Sequence, residues 1–316
     1  MKYLKVIRNL FKNGLHAVLY RSSWVLPKYQ VKGCRSYSYR DLVDFKNPYA
    51  LRKPLQVYYD ELLKILKDKI DRGEKFSVIR LDDGEAYFLR KELHGNILRR
   101  HLTGEKYEID TKEWVSAYQS NDLQAYNINK ELRKLWYPVI GKESLKNFFP
   151  LHAVYCLVAT KDIFRIAKGN KVGLIGSNNK LDIIKKLMEY EEYREYLGIE
   201  NFSEYIRIPE TGGANNPDQL FDDIKRQSTG ESDIYMVGIG IVKLKVLSKI
   251  RDEFNSVIID IGAGMDAVAG IVPKDSRMFG LWRNYKLYNY DYSKIDALSS
   301  KKETMKLNKI NRIILE

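Results

Sequence analysis

A chain of 316 residues, 44% hydrophobic and 30% charged, holds enough apolar material for one large or two small packed domains and is not disordered in composition. Of its net charge of +13, nine charges (Lys2, Lys5, Arg8, Lys12, Arg21, Lys28, Lys32, Arg35 and Arg40) stand in residues 1–40, where no Asp or Glu occurs, which leaves +4 for the other 276 residues and argues against a globally basic nucleic-acid binder. Two distant cysteines, Cys34 and Cys156, suggest no disulfide framework and point to a reducing compartment, and the four histidines (His16, His94, His101, His152) lack zinc-ligand spacing.

The chain begins with "MKYLKVIRNLFKNGLHAVL", where Leu4, Ile7, Leu10 or Phe11, Leu15 and Val18 recur at helical spacing and Lys2, Lys5, Arg8 and Lys12 fall on the other side. This is the pattern of a helix lying on an anionic membrane surface, each basic residue contributing about 1 kcal/mol near such a surface. A helix packed on the protein's own core fits the same pattern, and both readings stay open. No apolar run approaches the ~20 residues that span a bilayer, and the interrupting charges argue against a cleaved secretory signal. The expected location is cytoplasmic, with residues 1–40 available to hold the protein against the inner face of the membrane.

Residues 55–72 read as an amphipathic helix with Leu62, Leu63, Ile65, Leu66 and Ile70 inward, ended by Gly73 and followed by a strand over 76–81. Residues 113–136 look helical, as does the second half of "AVYCLVATKDIFRIAK" (153–168). The second half of the chain then alternates. Strands are predicted at 171–176, 204–209, 233–240 and 256–262, and helices at 179–197, 217–227 and 241–254. Such alternation implies an α/β fold: a mostly parallel, Rossmann-like sheet with helices on both faces and ligands at the carboxyl ends of its strands. The expected division is a basic extension (1–50), an α/β domain (51–290) and a C-terminal tail (291–316).

Four strand ends carry the chemistry. In "FSVIRLDDGE" a buried strand runs into Asp82, Asp83 and Glu85. Asp82-x-x-Glu85 fits a helix capping box. Three carboxylates within four positions also suit Mg²⁺ or Mn²⁺, because close acids raise one another's pKa unless a cation compensates. Arg80 alongside suits either a carboxylate or a phosphate. In "GLIGSNN" the strand ends in Ser177 and Asn178 at a helix start, which offers N–H groups to an anion, although N-capping explains the same residues. Gly238 to Gly240 form the turn after the 233–240 strand. "VIIDIGAGMDA" matches the Gly262-x-Gly264-x-x-Ala267 dinucleotide fingerprint and the first motif of S-adenosylmethionine-dependent methyltransferases, but only 49 residues follow, too few for the strands either cofactor fold needs. The turn therefore reads as the end of the last parallel strand, bringing Asp260 or Asp266 to the cleft. The tyrosine-rich stretch with Trp282, Tyr285, Tyr288, Tyr290 and Tyr292 reads as packing before sugar or base stacking.

"FSVIRLDDGE" resembles the S-[IV]-x-R-[FL]-G-D-G-E segment of GT-D-type glycosyltransferases, with Asp83-Gly84-Glu85 on the family's D-x-E and Asp82 where a glycine is usual. The order of "VGLIGSNN", "YIRIPETGGANNPDQLFDDI", "IYMVGIGIVKLKVLSKI" and "VIIDIGAGMDAVAG" is similar as well, so the resemblance spans about residues 57–270. It implies a GT-D fold and a hexosyltransferase-like enzyme of polysaccharide or glycoconjugate biosynthesis. Such an enzyme moves a sugar from a nucleotide-sugar, a UDP-sugar above others, to a glycan, lipid-linked or protein acceptor. It also implies Mn²⁺ or Mg²⁺ at Asp83 and Glu85 with Asp82 beside them, donor contacts from Arg80, Ser177, Asn178, Gly238 and Gly240, and an acid or base role for Asp260 or Asp266. Two other classes stand against this expectation: a non-catalytic protein that binds anionic lipid or nucleic acid, and a methyltransferase.

Overall fold

The computed structural model describes residues 53–90, 110–127, 130–145, 149–210 and 212–272, together with Phe279, Trp282 and a short antiparallel pair, β1 (Tyr29–Gln30) and β2 (Ser36–Tyr37). The basic N-terminal helix, the tyrosines after Trp282 and the tail 291–316 lie outside the described residues. Among the described residues no helix is long and apolar enough to cross a membrane.

Seven strands form one all-parallel sheet: β3 (Phe76–Leu81), β4 (Leu123–Tyr126), β5 (Phe149–Pro150), β6 (Val172–Ser177), β7 (Glu204–Ile208), β8 (Ile234–Gly238) and β9 (Val257–Asp260), in the spatial order β5-β4-β3-β9-β8-β6-β7. The central strands are buried on both faces, which is why β6 ("VGLIGS") and β9 ("VIID") read as unbroken apolar runs instead of alternating. Helices cover both faces. On one side α3 (Thr111–Gln119), α10 (Pro217–Gln227) and α11 (Lys243–Phe254) pack together, with α11 against β3 and β9. On the other lie α1 (Lys53–Asp71), α6 (Leu151–Ala159), α7 (Asp162–Ile166), α8 (Asn178–Leu187) and α12 (Ala263–Val268). The short helices α2 (Asp83–Leu89), α4 (Lys130–Lys134), α5 (Tyr137–Ile140) and α9 (Glu191–Leu197) complete the set.

The strand order locates a switch point. From β6 the chain moves outward to β7, whereas from β8 it moves the opposite way to β9, although β6 and β8 are neighbours. Connections that part in this way open a crevice at the carboxyl ends of the two strands, the usual ligand position in open α/β sheets. That crevice is bordered by Ser177 and Asn178 on one side and Gly238 to Gly240 on the other.

Two expectations need correction. Residues 113–136 are not one helix: α3 stops at Gln119, Asn121 donates its side-chain amide to the Tyr118 carbonyl at 2.8 Å, and Leu123–Tyr126 enters the sheet as β4. The predicted helix 179–197 is two, α8 and α9, separated by a turn at Met188–Tyr190. In "AVYCLVATKDIFRIAK" the first half is helical as well, as α6.

Candidate functional site

The carboxyl end of β3 builds the first part of the site. Asp82 is extended (φ −114°, ψ −165°) and caps α2: its Oδ1 accepts from Asp83 N at 2.9 Å, while Glu85 Oε2 accepts from Asp82 N at 3.0 Å. This is the capping box anticipated as one of the two readings. Asn127, immediately after β4, donates Nδ2 to the same Asp82 Oδ1 at 2.7 Å.

The other Glu85 oxygen leads inward. Glu85 Oε1 accepts from Lys243 Nζ at 2.8 Å, and Lys243 Nζ also donates to Asp260 Oδ2 at 2.8 Å. Lys243 opens α11 after the 3₁₀ turn Gly240–Val242 that follows β8, and it is 3% exposed. Asp260, the last residue of β9, is 1% exposed. Its carboxylate accepts from Arg80 N (3.1 Å), Arg80 Nη2 (2.9 Å) and Gly262 N (3.1 Å), and its carbonyl from Arg80 Nε (2.7 Å). Arg80 lies beneath α6, with its guanidinium carbon 4.4 Å from the centre of the Tyr155 ring. Gly262 is required here: its φ is +43°, and a Cβ would lie 1.6 Å from Arg80 Nη2. The Asp-x-Gly spacing thus makes room for Arg80, which accounts for it without a dinucleotide or S-adenosylmethionine.

These contacts set the charges. Burial alone would raise the Asp260 carboxyl, but Arg80 and then Lys243 outweigh it and hold it below the usual carboxylate range. Burial works the same way on Glu85, and the Lys243 ammonium together with the Asp82 N–H holds it low. Asp82 moves upward, pushed first by burial and then by the Glu85 charge. Burial would lower the Lys243 ammonium; Asp260 and then Glu85 raise it instead. On α6, burial and the neighbouring Arg80 bring His152 down to about 4, so its imidazole is neutral near pH 7. Cys156 is buried and its thiol is pushed up to about 12, which removes it as a nucleophile.

The three carboxylates expected to hold a divalent ion do not converge into a ligand set. Both Glu85 oxygens are engaged, Asp82 Oδ1 accepts two hydrogen bonds, and the space between Glu85 and Asp260 contains Lys243 Nζ. Among the described residues no group of three or more His, Cys, Asp or Glu side chains is placed to share a metal ion. Asp83 is the exception within the cluster: it is half-buried in the first turn of α2 and its carboxylate makes no hydrogen bond or ion pair among the described residues. Asp260 is closed to an acceptor hydroxyl by its burial and its two cations. Asp266 lies on α12 and pairs with Lys180 of α8, away from Asp260.

The second part of the site is the β6/β8 crevice. Ser177, 8% exposed, precedes α8 but makes no side-chain cap bond, and its buried Oγ has no hydrogen-bond partner among the described residues. Asn178 is exposed. Across the crevice Gly240 is exposed with φ +66°, and Gly238 packs so closely that a Cβ would meet Met265 Cβ at 2.8 Å. From β9 to β6 are two inter-strand steps, about 10 Å, and from β3 three, about 14 Å. The expected site residues therefore fall into two groups on one edge: Arg80, Asp82, Asp83, Glu85 and Asp260 in one, Ser177, Asn178, Gly238 and Gly240 in the other. Sequence reading missed Lys243, Asn127, Tyr155 and His152. Lys243 carries a legible signal, a lysine in the first turn of a helix among apolar residues, where the helix dipole favours an acid.

Comparison with protein-family models, with curated proteins and with solved structures returns no match for this chain.

Proposed function

We propose that the chain is a GT-D-type glycosyltransferase with a Rossmann-like sheet, transferring a sugar from a nucleotide-sugar, a UDP-sugar first, to a glycan, lipid-linked or protein acceptor. One observation carries the reading. The "RLDDGE" block, which resembles the family's D-x-E segment, ends its strand on the same edge as the β6/β8 switch-point crevice, two strands from β8 and three from β6. Glycosyl transfer expels a nucleoside diphosphate, and the charge growing on it needs fixed donors. The first turn of α8, uncapped by Ser177, and the Gly240 turn supply N–H groups for that role. The donor lies along the edge with its diphosphate in the crevice and its sugar toward β3. There Asp83 takes the proton of the acceptor hydroxyl, being the carboxylate of the cluster that makes no hydrogen bond or ion pair among the described residues. Asp82, Glu85 and Asp260 shape the ground on which Asp83 stands.

The test is a thermal-shift panel of UDP-, GDP-, CMP- and TDP-sugars with and without Mn²⁺, followed by a transfer assay with the best donor. A UDP-sugar is expected to raise the melting temperature, and D83A to lose at least about 100-fold in transfer, the scale of a missing general base, at an unchanged melting temperature. If no nucleotide-sugar shifts the melting curve, or if D83A transfers sugar at the wild-type rate, the assignment is wrong.

A further inference from the structure

The acid cluster was expected to enclose a divalent cation, and the cation found among its carboxylates is the chain's own. We infer that Lys243 is a resident counter-ion: its ammonium, held between Glu85 and Asp260, neutralises the glutamate that the expected metal would have shared with Asp83, so that this site is complete without a divalent ion. Three observations support the inference together. Lys243 Nζ is 2.8 Å from Glu85 Oε1 and 2.8 Å from Asp260 Oδ2, oxygens contributed by two different elements, α2 and β9. Asp260 accepts two bonds on each oxygen, from Arg80 and Gly262 on Oδ1 and from Arg80 N and Lys243 on Oδ2, and Glu85 Oε2 is tied to the Asp82 amide, so Glu85 cannot rotate toward another cation without breaking that bond. Finally, a lysine in the first turn of a helix faces the positive end of the helix dipole, and burial strips its water; among the described residues two carboxylates hold it there. Three separate elements place these groups, which makes the arrangement a built one.

Charge supports the same assignment. Arg80 and Lys243 together balance Asp260 and Glu85 in the buried part of the cluster. A divalent ion added there would face two fixed positive groups, with Asp82 and Asp83 alone to compensate it. If Lys243 is removed, two carboxylates are left buried and facing one another, which is the condition under which close acids recruit a cation.

This inference does not rest on glycosyl transfer, and its test reads metal binding directly. Mn²⁺ is titrated into the full chain and followed by electron paramagnetic resonance, with and without UDP, for the wild type, K243A and E85Q. The wild type is expected to show no saturable Mn²⁺ site that depends on Glu85, and Mn²⁺ bound equally by wild type and E85Q lies elsewhere and agrees with this. K243A is expected to gain a site, and its melting temperature to rise with Mn²⁺ where that of the wild type does not. Wild-type Mn²⁺ binding that E85Q abolishes, with or without UDP, would overturn the inference, as would a folded K243A that takes up no Mn²⁺. The wild-type and E85Q arms decide even if K243A does not fold. Failure of UDP to bind in any protein counts against the glycosyltransferase reading alone.

Discussion

Asp82 has two roles that pull its charge in opposite directions. As the cap of α2 it needs only an oxygen acceptor, which the Asp83 amide and the Asn127 side chain both use. As a carboxylate it sits in a partly buried place beside Glu85, and burial and that neighbour raise its pKa. An asparagine keeps the acceptor and removes the charge, and Asn and Asp are about equal as N-caps. D82N is therefore expected to be at least as stable as the wild type at pH 7. Urea denaturation checks this. A loss of 2 kcal/mol or more would mean that the charge itself is needed, as it would be if a cation were bound beside it.

At the scale of single elements, α8 lacks what its sequence suggests. "GSNN" at the end of a strand reads as an N-cap, yet the Ser177 hydroxyl is buried and donates to and accepts from nothing among the described residues. Serine N-caps replaced by alanine lose about 1 kcal/mol because a cap bond is lost; here no such bond exists, and an unpaired buried hydroxyl costs about 1–3 kcal/mol. S177A is expected to match or exceed the wild type in chemical-denaturation stability, while its affinity for the donor nucleotide, measured by calorimetry, falls. A stability loss of the usual capping size would show that the hydroxyl serves the helix. This case also marks the limit of what was legible. Elements whose pattern and boundary agree, such as Phe76–Leu81 and Pro217–Gln227, were readable to the residue, because the apolar run of the first stops at the capping Asp82 and the 3.6-residue stripe of the second starts at Asn216-Pro217. β4 was not readable. "LQAY" is four residues with no distinctive alternation, and it becomes a strand because β3 and the two-residue β5 flank it, a tertiary effect that outweighs local preference. The candidate site divides the same way. The acids at strand ends were visible as a local run. Lys243 was not placed among them, because β9, last of the described strands in sequence, inserts between β3 and β8, so that residues 85, 243 and 260 meet only through that topology.

The insertion of β9 has a consequence for the whole molecule. Asp260 joins β3 through Arg80, and α11 with β8 through Lys243, so the halves of the sheet on either side of β9 share one buried set of charges. Stability should then depend on pH in a defined sense. Asp260 and Glu85 have folded pKa values held below their unfolded ones, so each contributes stability that is fully present above the ordinary carboxylate range and is lost as pH falls through the folded value. Asp82 acts in the opposite sense, since its folded pKa is raised and its protonation relieves strain at the start of the acid range. With two groups against one, and the two tied to buried cations, the net stability should fall as pH drops below about 4.5. D260N isolates the effect. At pH 7 it leaves Arg80 and Lys243 short of a partner and should lose about 3–5 kcal/mol, the range for breaking a buried ion pair from one side. The gap between wild type and D260N should then narrow as the pH is lowered, because protonation does to the wild type what the substitution has already done to the variant. Urea midpoints of the two proteins from pH 7 to pH 3 measure that gap. A gap that stays constant across the range would mean that Asp260 supports the sheet by shape and hydrogen bonding, with its charge making no contribution.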